Sequence, residues 1–235
     1  MVSIAENLNT IESRIRQACE RCGRDRSEIT LVGVSKKHPA SAIAEALETT
    51  SLRHFGENYV QEYVEKRQIL TGYPQAVYHL IGHLQRNKVR QLLDFPPHLI
   101  HSVDSIALIE TIERIMAERY PDMRQNLLIE LRIGDEDTEK TGMDPRDLDA
   151  AAQRIEACPH LNWQGLMLIP PLGQDPENSR PYFKKIHQIF DRVNQTRAQK
   201  LTVLSYGMSD DFEVAIEEGA THIRIGTAIF GARQY

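Results

Sequence analysis

Short runs of branched apolar residues alternate with helical stretches along the whole chain, and this alternation narrows the possible folds more than any other feature. "TLVGV" (Thr30–Val34) is bounded by polar residues and reads as a buried strand. "RHFG" (Arg53–Gly56), "VYHLIG" (Val77–Gly82), "LIHSV" (Leu99–Val103), "NLLIELRI" (Asn126–Ile133), "LNWQGLMLI" (Leu161–Ile169), "TVLSYG" (Thr202–Gly207) and "HIRIG" (His222–Gly226) read the same way. The segments between them carry helical patterns. "PASAIAEALE" has Pro39 suited to a first helical turn. In "SIALIETIERIMAERY", Ile106, Ile109, Ile112 and Met116 share one side. A preliminary helix places Ile4, Leu8, Ile11, Ile15 and Ala18 on one face, and Gly23 ends it.

Strands alternating with helices predict parallel β-α-β units. Eight of them in 235 residues suit an α/β fold of one kind, a closed (β/α)8 TIM barrel with an extra N-terminal helix. The rival, a doubly wound sheet, would be favoured by G-x-G-x-x-G after the first strand, where "GVSKKHP" stands instead. No linker or low-complexity stretch divides the chain, so residues 1–235 read as a single domain.

Composition removes several function classes. Net charge is 28 minus 33, or −5, with no basic block, which argues against nucleic acid as a partner. No apolar run approaches the roughly 20 residues that span a bilayer. The N-terminus lacks the basic start and apolar stretch of a secretion signal, so a cytoplasmic protein is expected. Cys19 and Cys22 form a C-x-x-C inside the first helical pattern, without a strand before it or a second pair elsewhere; they read as ordinary helix cysteines.

A barrel of this kind carries its active site at the C-terminal ends of its strands, and phosphate often sits on the loops after strands seven and eight. Those loops are "LSYGMSDD" and "IRIGTAIFG". Gly207, Gly226 and Gly231 let backbone N–H groups approach an anion, and Ser205, Ser209 and Thr227 add hydroxyl donors. Ser209, ahead of two aspartates, equally suits a helix N-cap. Arg224 shares a strand face with His222 and Gly226, opposite Ile223 and Ile225. A guanidinium buried there needs an acceptor, from either a carboxylate across the barrel or a bound ligand. Strand one ends in Lys36 and Lys37, and alternation leaves open which of them faces the site. Lysine, phosphate loops and a barrel-lining arginine together suggest pyridoxal 5'-phosphate, whose aldehyde reacts with a lysine amine and whose ring nitrogen meets an Asp or Arg.

"ITLVGVSKKHPASAIAEAL", "FGENYVQE", "HLIGHLQRNK", "GLMLIPP" and "LSYGMSDDFEVAIEEGATHIRIGTAIFGARQY" together resemble the YggS/PROSC family of pyridoxal-phosphate-binding homeostasis proteins. The resemblance implies the fold of the amino-terminal barrel of alanine racemase and covalent attachment of the cofactor to the lysine after the serine of "VSK", here Lys36. It further implies that Arg224 faces the pyridine nitrogen and that Ser209, Gly226 and Thr227 serve the phosphate. Asn58, His79 and Met208 are expected near the ring, and Ser205 joins the set of cofactor-binding residues. Where relatives often carry a proline, this chain has His83. His79 and His83 mimic a metal pair, but Gly82 and the strand context oppose a helix there and no third ligand is evident, so no metal is expected.

The expected function is a carrier: a protein that holds pyridoxal phosphate and helps maintain its supply, with no catalytic residues. It is expected to act as a monomer that transiently meets cofactor-dependent apoenzymes. Tyr235 follows Gly226 by nine residues, too few for a second domain that would close over a substrate. The rivals are a low-activity racemase-like enzyme, with His79 or Tyr59 as its second base, and a cofactor-free aldolase using Lys36.

Overall fold

The computed structural model describes residues 3–134, 141–171, 173 and 175–232; Tyr235 and most of the "GDEDTEKTG" loop after the fifth strand lie outside them. Eight parallel strands close into a barrel in sequence order: β1 (Thr30–Val34), β2 (His54–Glu57), β3 (Val77–Leu80), β4 (Leu99–Val103), β5 (Gln125–Glu130), β6 (Leu161–Met167), β7 (Val203–Ser205) and β8 (His222–Ile225). Closure is made by β1 against β8, with Val32 opposite Arg224.

Side chains alternate across this wall. Ile223 and Ile225 point outward into the main core, where they meet apolar faces of the surrounding helices. The inner face is divided. Leu99, Leu128, Met167 and Val203 form a small apolar cluster, while imidazoles occupy much of the rest.

Helix α1 (Ile4–Cys22) starts with a capping box between Ser3 and Glu6 and ends at Gly23, whose φ of 71° is the left-handed cap that glycine tolerates. It buries Leu8, Ile11, Ile15 and Ala18, as the spacing predicts. Cys19 and Cys22 are free thiols on this helix, and the Cys22 Sγ donates back to the Ala18 carbonyl. The other helices are α2 (Ala40–Thr49), α3 (Val60–Ile69), α4 (Val89–Leu92), α5 (Ile106–Arg119), α6 (Leu148–Glu156), α7 (Arg180–Thr196), α8 (Phe212–Glu217) and α9 (Thr227–Phe230). Among the described residues no helix is long and apolar enough to cross a membrane.

Three local differences from the periodicity are physical. α4 is a single turn after a 3-10 turn at Arg86–Lys88, since Pro96 and Pro97 follow within five residues of its end. β5 ends at Glu130, and beyond it Leu131 bridges to Met143 on one side while its N–H still donates to the Met167 carbonyl of β6 at 2.9 Å. α9 is a one-turn helix in the final glycine loop, held to α1 by the Asn7 amide donating to the Ile229 carbonyl at 2.9 Å.

Candidate functional site

β1 ends in a tight turn from Ser35 to His38. The His38 N–H donates to the Ser35 carbonyl at 3.0 Å, and Lys37 takes φ 62°, a left-handed conformation that costs a non-glycine residue about 1 kcal/mol. This pattern is a type II turn with Lys36 at its second position and Lys37 at the third, where glycine is usual. Lys36 is half-buried, while Lys37 is exposed.

A buried ionic cluster holds the turn from behind. Lys66 of α3, only 4% exposed, donates to the Ser35 carbonyl at 2.7 Å, to Glu57 Oε1 at 2.6 Å and to Glu62 Oε1 at 2.8 Å. The Ser35 hydroxyl donates to the same Glu57 oxygen at 2.6 Å, and the Lys37 N–H donates to Glu62 at 2.6 Å. Burial pushes the Glu57 carboxyl up, and the Lys66 ammonium pulls it back. Lys66 therefore fixes the turn's carbonyl, and Glu62 offsets the strain at Lys37 by taking its amide.

On the opposite wall, the last two loops meet this turn. A side chain on Gly226 would stand 3.2 Å from the Val34 carbonyl, so the absence of one lets the β8 loop lie against the end of β1, two residues before Lys36. Gly207, at φ 91°, is locked in the same way: a Cβ there would come within 2.5 Å of the Ala215 side chain. Asp211 organises the β7 loop, accepting the Met208 N–H at 2.7 Å and the Ser179 hydroxyl at 2.8 Å. Ser209 is half-buried and makes no capping bond among the described residues, so its hydroxyl does not serve the helix. Thr227 opens α9 with an exposed side chain. Asn58 follows β2 and packs against Gly82, where a Cβ would sit 2.4 Å from the Asn58 carbonyl.

Arg224 lies inside the barrel, 4% exposed. Its Nη1 donates to the Ser205 hydroxyl at 2.7 Å and its Nη2 to the Leu168 carbonyl at 3.1 Å. Among the described residues no carboxylate lies within ion-pair distance of it. Burial lowers its pKa to about 10, and Glu130 and Asp211 act on it only through longer-range attraction. Isolated burial of a charge is expensive without a strong acceptor, and among the described residues one hydroxyl and one carbonyl answer it.

Ser205 leads on to histidines. Its Oγ is 2.8 Å from His101 Nδ1, His101 Nε2 is 2.9 Å from His79 Nδ1, and His79 Nε2 is 3.0 Å from His54 Nδ1. His98 and His222 rings lie beside this row, 5.4 Å from His79 and 6.1 Å from His101, centroid to centroid. Burial holds His79 and His101 well below the ordinary imidazole pKa and lowers His222 to about 3, so all three are neutral at pH 7. His83 instead faces Asp104 at 3.1 Å, so it and His79 have different partners. Among the described residues no group of three metal-ligating side chains forms.

The structure thus gathers Lys36, Gly226, Arg224 and Ser205 around the C-terminal half of the barrel and puts His79 deeper, two hydrogen bonds behind Ser205. Sequence reasoning missed His54, His101, Glu57 and Lys66. A period of two puts His79 and His101 on inward faces, but only closure of the barrel shows that they meet. Lys66 looks in sequence like any surface helix lysine.

Residues 7–234 match the family of alanine racemase N-terminal domains. The chain belongs to that family. It is 40% identical over 234 residues to the pyridoxal phosphate homeostasis protein of Aquifex aeolicus, covering 100% of both chains. It is 39% identical to the protein of that name from Escherichia coli, covering 100% of this chain and 99% of that one. PipY of Synechococcus elongatus, solved with pyridoxal phosphate bound, superposes with a TM-score of 0.84 at 37% identity, over 97% of this chain and 100% of that one. An alanine racemase of Clostridium difficile shares the fold at 15% identity and TM-score 0.72, with 99% of this chain covering 57% of the longer enzyme.

Proposed function

We propose that this protein binds pyridoxal 5'-phosphate at the C-terminal mouth of the barrel, covalently through Lys36, and serves as a carrier in the supply of that cofactor rather than as an enzyme. The observation that carries the reading is Arg224, a buried guanidinium with no carboxylate partner among the described residues. Such a group is completed by an acceptor from a ligand, and a pyridine nitrogen is one.

The surroundings fit the rest of the molecule. Lys36 continues the inward alternation of Val32 and Val34, since Ser35 is turned outward to Glu57. Gly226 and Thr227, with the Ser209 hydroxyl, would hold the phosphate beside it. Asn58 and Met208 would flank the ring, and Ser205 would hold Arg224 beneath it; His79 stands further back. When bound, the cofactor supplies an aldehyde and a ring able to accept electron density. Arg224 limits the second property. A guanidinium can only donate, so it keeps the ring nitrogen unprotonated and the ring a weak electron sink. That favours holding over turnover.

Related proteins named for pyridoxal phosphate homeostasis, and PipY with the cofactor bound, support the same reading. We take the protein to be a single-domain monomer that hands the cofactor to apoenzymes in the cytoplasm. Borohydride reduction of the loaded protein followed by peptide mass spectrometry tests the attachment. The adduct is expected on Lys36, lost in Lys36→Ala and kept in Lys37→Ala. An adduct on Lys37, or none, overturns the assignment. Sustained turnover of amino acids that Lys36→Ala abolishes would replace the carrier by an enzyme.

A further inference from the structure

Of the nine histidines, five crowd the barrel, and the proposed binding of a cofactor at the mouth accounts for none of their bonds to one another. Their bonding pattern has a direction. Arg224 is a pure donor, and it donates to the Ser205 Oγ. Ser205 has a single hydroxyl proton, and its other close partner is His101 Nδ1. Were His101 protonated at Nδ1, two donors would converge on the Ser205 oxygen and its own proton would be left buried without an acceptor, which costs more than the bond returns. His101 Nδ1 therefore accepts.

The remaining protons follow. A neutral imidazole carries one N–H, so His101 is protonated at Nε2 and donates to His79 Nδ1. His79 is then protonated at Nε2 and donates to His54 Nδ1. His54 sits at the start of β2, at the opposite mouth, and is half-exposed, so water can take its own Nε2 proton. Every bond from Ser205 to His54 points the same way, and the arginine at the head sets the direction.

We infer that Ser205, His101 and His79 are positioning residues for Arg224, a one-directional hydrogen-bond chain that seats its guanidinium as the donor to the ring of the bound cofactor. The inference rests on the proposed binding of pyridoxal phosphate for its ligand but not for its geometry. Among the described residues, His98 before β4 and His222 on β8 stand beside the chain, and Glu130 on β5 and Asp211 after β7 act on Arg224 at longer range. Protonating any ring of the chain places an N–H where an acceptor is required. The far end would then pull on the seat of Arg224.

Two measurements test this on the full-length chain. Long-range nitrogen–proton correlation spectra of histidine-labelled protein at pH 7, without cofactor, should show His101 and His79 as neutral rings protonated at Nε2, assigned by His101→Phe and His79→Phe. A ring protonated at Nδ1, or an imidazolium, overturns the direction. In titrations with pyridoxal phosphate, Ser205→Ala should bind roughly tenfold more weakly, the size of one charge-assisted hydrogen bond. It should also alter the pH profile of the cofactor's absorbance. Ser205→Thr, which keeps the hydroxyl, should restore both. Equal affinity and an unchanged pH profile in Ser205→Ala overturn the positioning role. Should that variant fail to fold, His101→Leu is expected to lose the affinity that His101→Asn, with an acceptor at the Nδ1 position, keeps; equal affinities there overturn it as well. Wild-type protein that takes up no pyridoxal phosphate refutes the proposed function instead, and the histidine spectra still decide the chain.

Discussion

Acidification should destabilise this protein steeply before its carboxylates titrate. His79 and His101 are fully buried and His222 is mostly so, and burial depresses all three well below the imidazole value of 6.5. The unfolded chain then binds more protons than the native one as pH falls below 6.5, so stability is complete above that pH and is lost towards the native values. At roughly 1.4 kcal/mol per pH unit, each such residue costs a little over 1 kcal/mol, on the order of 4 kcal/mol for the three, between pH 7 and pH 5.5. That is a large part of the 5–15 kcal/mol on the order of which domains are stable. Burial raises the carboxyls of Glu57 and Glu130, and these act with opposite sign, favouring the native state as pH falls. Urea unfolding at the two pH values should show the loss with an unchanged slope. Thermal unfolding should fall by roughly 8–16 °C for a chain of this size. Equal stability at pH 7 and 5.5, or greater stability at 5.5, would refute neutral burial of the imidazoles.

Lys66→Met should cost about 3–5 kcal/mol in chemical denaturation, because it strands Glu57 and Glu62 and frees the Ser35 carbonyl. Lys37→Gly should stabilise slightly, by up to about 1 kcal/mol, and leave cofactor uptake intact, since it relieves the left-handed turn and keeps the amide that Glu62 accepts. Gly165→Ala should abolish soluble expression or lower the melting temperature sharply, because its Cβ would fall 1.7 Å from the Val203 carbonyl in the β6–β7 pair.

Much of the fold is legible from period alone. A strand such as "TLVGV" or "HIRIG" declares itself by branched residues, and the face shared by His222 and Arg224 follows from a repeat of two. The ends of elements are less legible: β5 ends at Glu130, where the next residue, Leu131, takes Met143 from a distant loop as its bridge partner. For the site, the glycine loops and the paired lysines stand out in the sequence. The distinction between those lysines does not, because it depends on Ser35 reaching Glu57 and on Glu62 reaching back to the Lys37 amide, partners more than twenty residues away.

The order of strands, the helix that precedes them and the chemical types at the barrel mouth were determined by sequence, since each depends on local period, turn residues and composition. Only the tertiary structure decided that Arg224 is buried without a carboxylate partner among the described residues and that His54, His79 and His101 stand in one hydrogen-bonded row. Those are consequences of closing β1 onto β8, and a pattern along one chain records which way a side chain faces but not what stands across the barrel from it.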